Sequence, residues 1–414
     1  MSIHIVLSPW AGIFLVVLSG TPIAVAAQEI TLPEAERLAL EQAPWLAHHR
    51  TNMDAAAERT VYEGRLPDPQ LIVGAINVPT DTYKLNTEDM TMTMVGIRQS
   101  FPPGDTLALK SRRAEKELTR EEAKVEAERR NLLKQVRQTW LELYFQQESL
   151  RLLQESRRLQ SKQLEAAEGR YRAAADMQQT AIRARQALAR VNEREPMLEA
   201  QITRARAQLG RWIGAAAALP LPAALPTLPA PAPDFDPTRH PEWLANQAMF
   251  DVAHLEVDMA RQDYKPAWML DLSYGFRRSM PDGTERPDMV TAMVTLDLPV
   301  FRSKRQDRRL AERQALEHGA RFETEDKRRE LDAMYQSLRA EREALAARAK
   351  IFQEQLLPAI RREAQVTIAG FARDQTEYRE AQMKALEAEQ EYARVRVDQA
   401  KTEAELLYLT GEQQ

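Results

Sequence analysis

The chain has no cysteine, few glycines (14 in 414 residues) and only 6% aromatic residues. Without thiols it has no disulfides, no thiolate metal site and no cysteine to accept a lipid, so packing and assembly must hold it together. None of its six histidines are spaced i, i+4. His48 and His49 are adjacent and point to different helix faces, so no zinc site is expected. A phosphate-binding Gly-Lys-Ser/Thr loop, a dinucleotide glycine fingerprint and a nucleophile-elbow serine are all missing. An enzyme is therefore not expected, nor is a cofactor, and any energy must come from a partner. With 57 Lys and Arg against 61 Asp and Glu, the net charge of −4 gives no basic field for nucleic acid. Beyond residue 28 no apolar run is long enough to span a bilayer as a helix.

What is present is the composition of long helices. Charged residues make up 29% of the chain, and Ala, Leu, Glu, Arg and Gln fill long uninterrupted stretches. Residues 1–27 hold no Asp, Glu, Lys or Arg, carry an apolar run at 12–18 and end in Pro22-Ile23-Ala24-Val25-Ala26-Ala27. This pattern predicts a secretory signal peptide cleaved near Ala27, with an anchor helix as the alternative.

The second half of the chain re-uses the plan of the first. Pro44 answers to Pro241, Pro69 to Pro266 and Gly214 to Gly411, and 241 − 44, 266 − 69 and 411 − 214 all equal 197. A unit of that length is too long for a solenoid repeat, so each copy is expected to be half of one body. The first unit spans 28–214 and the second 242–414, joined by a linker at 215–241; eight prolines lie between Leu219 and Pro241. Each unit is expected to read helix, strand, strand, long helix, helix.

In the first unit Thr31-Leu32-Pro33-Glu34 is a capping-box pattern that starts a helix running to about Glu63, where Gly64 and Pro67-Asp68-Pro69 end it. Extended segments are expected at about 70–77 and 90–99, and long helices at about 104–170 and 177–212. Within the first long helix, Leu133, Val136, Trp140, Leu143 and Leu150 form one seam. Leu141, Phe145, Leu152 and Leu159 form a second on another face, which suits a helix with neighbours on both sides. The second unit predicts strands at about 268–277 and 289–298 and long helices at about 303–367 and 375–409.

Trp268, Leu270, Leu272, Tyr274 and Phe276 alternate with Met269, Asp271, Ser273, Gly275 and Arg277. Val290, Ala292, Val294, Leu296 and Leu298 alternate with Met289, Thr291, Met293, Thr295 and Asp297. Runs of about ten residues are what a tilted strand needs to cross a membrane in a barrel. The expected lipid-facing set is Trp268, Leu270, Leu272, Tyr274, Phe276, Val290, Val294 and Leu296. The expected lumen set is Asp271, Ser273, Arg277, Thr291, Thr295 and Asp297. A soluble sheet packed by one face on a core is the competing reading. The export signal and the lack of a second core layer favour the membrane. Four strands cannot close a barrel, so the chain must then oligomerise.

The chain resembles outer-membrane efflux proteins of the TolC family. The resemblance rests on Leu32-Pro33-Glu34-Ala35 with Leu38-Ala39-Leu40 and Pro44, on Leu66-Pro67-Asp68-Pro69, on Gly96-Ile97-Arg98-Gln99-Ser100-Phe101-Pro102, and on Leu296-Asp297-Leu298-Pro299-Val300-Phe301. It implies a mainly α fold with a small membrane β-barrel: a homotrimer whose twelve strands lie in outer-membrane lipid, continued by a periplasmic α-helical barrel. It also implies a periplasmic adaptor (membrane fusion) protein and an inner-membrane pump as partners, and outer-membrane localisation. The Leu66–Pro69 motif, Asn77-Val78-Pro79 and Met92-Thr93-Met94-Val95-Gly96-Ile97 most resemble the branch that serves heavy-metal cation efflux. Asp105 stands where that branch more often has a basic residue. Drug efflux, type I secretion and, in a different class, a periplasmic coiled-coil scaffold or adaptor are the alternatives.

By the same resemblance, Ala173, Ala174, Ala175, Asp176, Gly370, Phe371, Ala372 and Arg373 lie at periplasmic hairpin tips that contact the adaptor; the bland reading is that small residues make tight turns. Asp374 is a candidate aperture gate, as a ring of carboxylates in the oligomer, or simply a solvated charge beside Arg373. Met90, Met92 and Met94 fall on one strand face. Thioethers suit Cu(I) or Ag(I), but alternating Met on a strand is more often packing or lipid-facing surface, so no metal site is assigned.

Overall fold

A computed structural model describes residues 29–175, 177–369 and 375–411; the expected signal peptide lies outside them. The order is α1 (Leu32–Gln42), α2 (Pro44–Tyr62), β1 (Gln70–Ile76), β2 (Met92–Phe101), α3 (Thr106–Arg172) and α4 (Gln178–Ile213). The second unit follows with α5 (Pro241–Gln262), β3 (Ala267–Phe276), β4 (Met289–Asp297), α6 (Gln306–Ile351), α7 (Leu357–Ala369) and α8 (Gln375–Thr410). No helix among the described residues is long and apolar enough to cross a membrane, which says nothing of a β-barrel.

The opening helix is not continuous to Glu63. It breaks at Ala43, whose backbone is extended because the ring of Pro44 disfavours helical geometry in the residue before it. The Thr31 hydroxyl accepts the Glu34 N–H, so only half of the capping box forms: the Glu34 carboxylate turns to Arg37 instead. Strand β2 starts at Met92, and Met90 lies in the preceding turn, off the face that Met92 and Met94 share.

Helix α3 has 67 residues, which at ~1.5 Å each is about 100 Å. It packs against α1, α2, α4, α5 and α8. Both of its apolar seams are used: Leu133, Val136, Trp140 and Leu143 are buried, and so are Leu141 and Leu152. The largest core lies where α1, α3, α4 and α8 meet, with Trp140 at its centre. The Trp140 indole N–H donates to the Ile30 carbonyl at 3.1 Å, tying the start of the described chain to the middle of the rod.

Two charges on α3, Arg137 and the half-buried Glu142, are paired with neighbouring helices. Arg137, 3% exposed, reaches Glu36 of α1 at 2.7 Å. Glu142 accepts from Arg394 at 3.1 Å and from Lys401, both on α8. Burial pushes the Glu142 carboxyl up, but these cations outweigh it and hold it below its ordinary value.

The second hairpin differs from the first. Pro358 has no N–H to donate, and just before it the ladder slips to a five-residue π-turn, Phe352–Leu356, in which the Leu357 N–H reaches the Phe352 carbonyl. In the first hairpin the proline is Pro196, inside the returning helix α4.

His240 caps α5: its Nδ1 accepts the Glu242 N–H at 3.3 Å, which leaves Nε2–H facing the Tyr408 carbonyl at 3.3 Å. Burial pulls its pKa down to about 4. A histidine kept neutral by the fold binds its proton more readily when unfolded. Its contribution is therefore intact above pH ~6.5 and lost as pH falls from there towards 4. Thermal unfolding between pH 7.5 and 4.5 should show a loss of stability that shrinks in His240→Asn. Trp140→Ala should lower unfolding stability by about 3–5 kcal/mol by emptying the central core.

Candidate functional site

The four strands form one antiparallel sheet in chain order, β1-β2-β3-β4. Pairing is continuous, from Gln70 opposite Arg98 to Ile76 opposite Met92, and from Phe101 opposite Trp268 to Thr93 opposite Phe276. It runs on from Ala267 opposite Asp297 to Gly275 opposite Met289. The two units thus meet strand to strand at β2 and β3, and β1 and β4 are left as edges.

This register sorts the side chains into two faces. Leu71, Val73, Val95, Ile97, Trp268, Leu270, Leu272, Tyr274, Phe276, Val290, Val294 and Leu296 share one. The expected lipid-facing residues are all among them. Asp271, Ser273, Thr291, Thr295 and Asp297 share the other, with Arg98 and Ser100. On β1–β3 exposure is inverted relative to a soluble sheet, and on β4 both faces are exposed. Val73 is 69% exposed, Ile97 57% and Val290 76%, whereas Asp271 is 6% exposed. No described helix covers the apolar face. At its helix-proximal end the Phe101 and Trp268 rings stack with centroids 3.9 Å apart.

On the polar face Arg98 donates through Nε to Asp271 Oδ1 at 2.5 Å, directly across the β2–β3 pair. Arg98 stood within the Gly96–Pro102 motif, but its partner, 173 residues away, gives no signal in the sequence. Asp271 Oδ2 is buried without a hydrogen-bond partner. Two glycines let the strands close: a Cβ on Gly96 would meet the Ser273 Cβ at 2.7 Å, and one on Gly275 would meet Met92 Sδ at 2.5 Å.

Arg277, expected in the lumen set, lies one residue past β3 and turns into the loops. It donates to the Asp89 carboxylate at 3.0 Å and to the Pro287 carbonyl at 3.3 Å, and its own backbone N–H reaches Asp288. Arg286 was not anticipated. It is 7% exposed and donates to the carbonyls of Arg278, Glu88, Asp89 and Leu85, so one guanidinium clasps both hairpin loops. Its only sequence cue is one of three arginines in a polar loop, indistinguishable from a solvated charge.

At the opposite end α3 stops at Arg172. Ala174 takes a left-handed φ of 54°, and the Ala175 N–H reaches back to the Arg170 carbonyl at 2.9 Å. This is a Schellman-type stop with alanine where glycine is usual. Ala173, Ala174 and Ala175 are exposed at this turn. Below it Arg185 and Glu168, 2.7 Å apart, join α3 to α4. Asp176, Gly370, Phe371, Ala372, Arg373 and Asp374 lie outside the described residues. Among the described residues no group of three His, Asp or Glu gathers as a metal site.

A long helical rod with an uncovered four-stranded sheet at one end has counterparts among solved structures. CusC aligns over 93% of both chains at 14% identity, with a TM-score of 0.74. The outer membrane protein VceC from Vibrio cholerae aligns over 92% of this chain and 96% of its own, at 15% identity and TM-score 0.75. The open-state MtrE outer membrane channel of Neisseria gonorrhoeae gives 16%, 92%, 89% and 0.74. The sequence model of the outer membrane efflux protein family matches residues 36–215. The chain shares the fold of these outer membrane proteins. No curated protein matches the chain significantly. The family match covers the first unit, and the likeness in fold to the solved structures runs on through the second.

Removing the Arg286 guanidinium unlocks the two loops while leaving the strand ladder intact. Arg286→Ala should make residues 78–91 and 277–288 cleavable at several-fold lower protease concentration, without loss of helical circular dichroism. Ala174→Gly relieves the left-handed strain and should raise unfolding stability by up to about 1 kcal/mol.

Proposed function

We propose that this protein is the outer-membrane exit duct of a tripartite efflux system, a passive channel for solutes delivered by an inner-membrane pump through a periplasmic adaptor. The observation that carries this reading is the sheet: a broad apolar face with nothing over it, a polar face opposite, and two unpaired edges. Lipid is the environment in which such a face is stable, and only closure with other copies satisfies the edge N–H and C=O groups there. Three copies supply twelve strands, above the minimum of about eight for a membrane barrel. The expected lipid-facing residues then meet acyl chains, and Asp271, Ser273, Thr291, Thr295 and Asp297 meet water. The long helices continue the tube through the periplasm.

The mechanism is docking, opening and diffusion. The tip at Ala173–Ala175 and its counterpart around residue 371 meet the adaptor, and Asp374 gates the aperture as a carboxylate ring. Arg98 neutralises Asp271 on the lumen wall. The cargo we propose is heavy-metal cations, on the sequence resemblance of residues 66–69, 77–79 and 92–97 to that branch.

The test is extraction followed by reconstitution. The protein should stay with outer membranes after osmotic shock, require detergent, and form conducting pores in planar bilayers. Release by osmotic shock alone would instead identify a periplasmic scaffold. Arg98→Ala should raise cation over anion selectivity of the pore by uncovering Asp271. Asp374→Ala should raise conductance if the carboxylate ring constricts the aperture.

A further inference from the structure

The sheet sorts its methionines completely. The polar face carries Met92 and Met94 on β2, Met269 on β3, and Met289 and Met293 on β4, five of the chain's 15 methionines. The apolar face carries none. Met on this sheet is therefore kept off the apolar face, and Met293, 51% exposed with Thr291, Thr295 and Asp271 around it on that face, is not core. Strand β1 gives the same face Ile72 and Ile76 and no sulfur.

Three of these methionines surround one glycine in the register. Gly275 of β3 is opposite Met94 on one side and Met289 on the other. Met92 Sδ lies directly over it, so close that a Cβ there would come within 2.5 Å. Met94 also has a glycine, Gly74, as its partner on β1, with open space above it. In this row Gly275 lets the Met92 sulfur sit down onto the sheet between Met94 and Met289, and Gly74 leaves open space beside Met94. Four residues along β3 towards the helices, about 13 Å away, Met293 is opposite Asp271, whose Oδ2 is buried and unpartnered.

We infer that Met92, Met94 and Met289 form a thioether site for a soft monovalent cation, Cu(I) or Ag(I), around Gly275 on the lumen wall. Neutral thioether donors in low number select soft d10 cations over Zn2+ or Mg2+, which take imidazole, carboxylate or water. Met293, beside the unpartnered Oδ2 of Asp271, supplies a second step on the way from the helical tube. Uncharged ligands at separated rows bind weakly enough to release, as conduction through successive sites requires. The lumen placement rests on the duct reading; the sulfur cluster itself does not.

The experiment titrates Ag(I) into the full-length protein in detergent and chloride-free buffer. It compares wild type with Gly275→Ala and with the triple variant Met92→Leu/Met94→Leu/Met289→Leu, and pore conductance of each is recorded in planar bilayers. Wild type should bind Ag(I) with sulfur ligation visible by X-ray absorption. The triple variant should lose at least tenfold in affinity, and Gly275→Ala, which keeps every sulfur but displaces Met92, should fall between them. Ordinary conductance should be unchanged. Equal Ag(I) affinity in all three proteins, or none in wild type, overturns the site. So does a triple variant that changes only the passage of an apolar dye, which would make these residues an adaptable apolar lining. A wild type that binds Ag(I) through sulfur but forms no pore would overturn the duct and keep the metal site.

Discussion

The structure depends on a polar backbone that must be satisfied beside an apolar face that must be covered. Each strand of the sheet meets its neighbour along its full length, yet β1 and β4 each keep one row of unpaired N–H and C=O groups. In water such edges are blunted by charge, proline or a covering element; here Pro69 and Asp297 mark only the ends of the edge strands, and the apolar face is left bare. The remaining solution is more copies of the same sheet in a medium that tolerates Leu71, Val73, Ile97 and Val290 at the surface. The ~100 Å helices inherit this geometry, because each leaves the sheet through a short turn and runs on from the strand before it.

Much of this was legible in the sequence because it is periodic. Alternation at 268–276 and 289–297 fixes which residues share a face, since side chains on a strand repeat every two residues. The seams of α3 follow from helical spacing, and the second stripe at Leu141 and Leu152 already required a neighbour on another side. Local chemistry was harder to read. The break at Ala43 is a clash between Pro44 and the residue before it, which the capping pattern at Thr31 masked. The slip before Pro358 depends on how a long helix absorbs one missing donor.

The contacts at the two ends of the sheet were not legible, because they join residues far apart in the chain through single side chains. Arg98 with Asp271, and Arg286 with carbonyls nearly 200 residues upstream, carry no local signature. Arg277 shows the limit of a periodic rule: it continues the alternation of β3 by one residue, but the strand has ended and the side chain turns to Asp89. The methionines show the converse. Each alternates as an ordinary strand residue, and only the register across three strands brings Met92, Met94 and Met289 around one glycine.

The loop clasp bears on why the two units are not identical. Position 286 is the counterpart of position 89, since 286 − 89 is 197, and these two residues meet. Copies that had stayed alike would carry either two arginines, losing the Asp89 carboxylate that Arg277 binds, or two aspartates, losing the guanidinium that clasps the loop carbonyls. With both copies in one chain each position is free to change alone. Arginine can then stand on one side and aspartate on the other, a complementarity that a ring of identical half-length chains cannot encode.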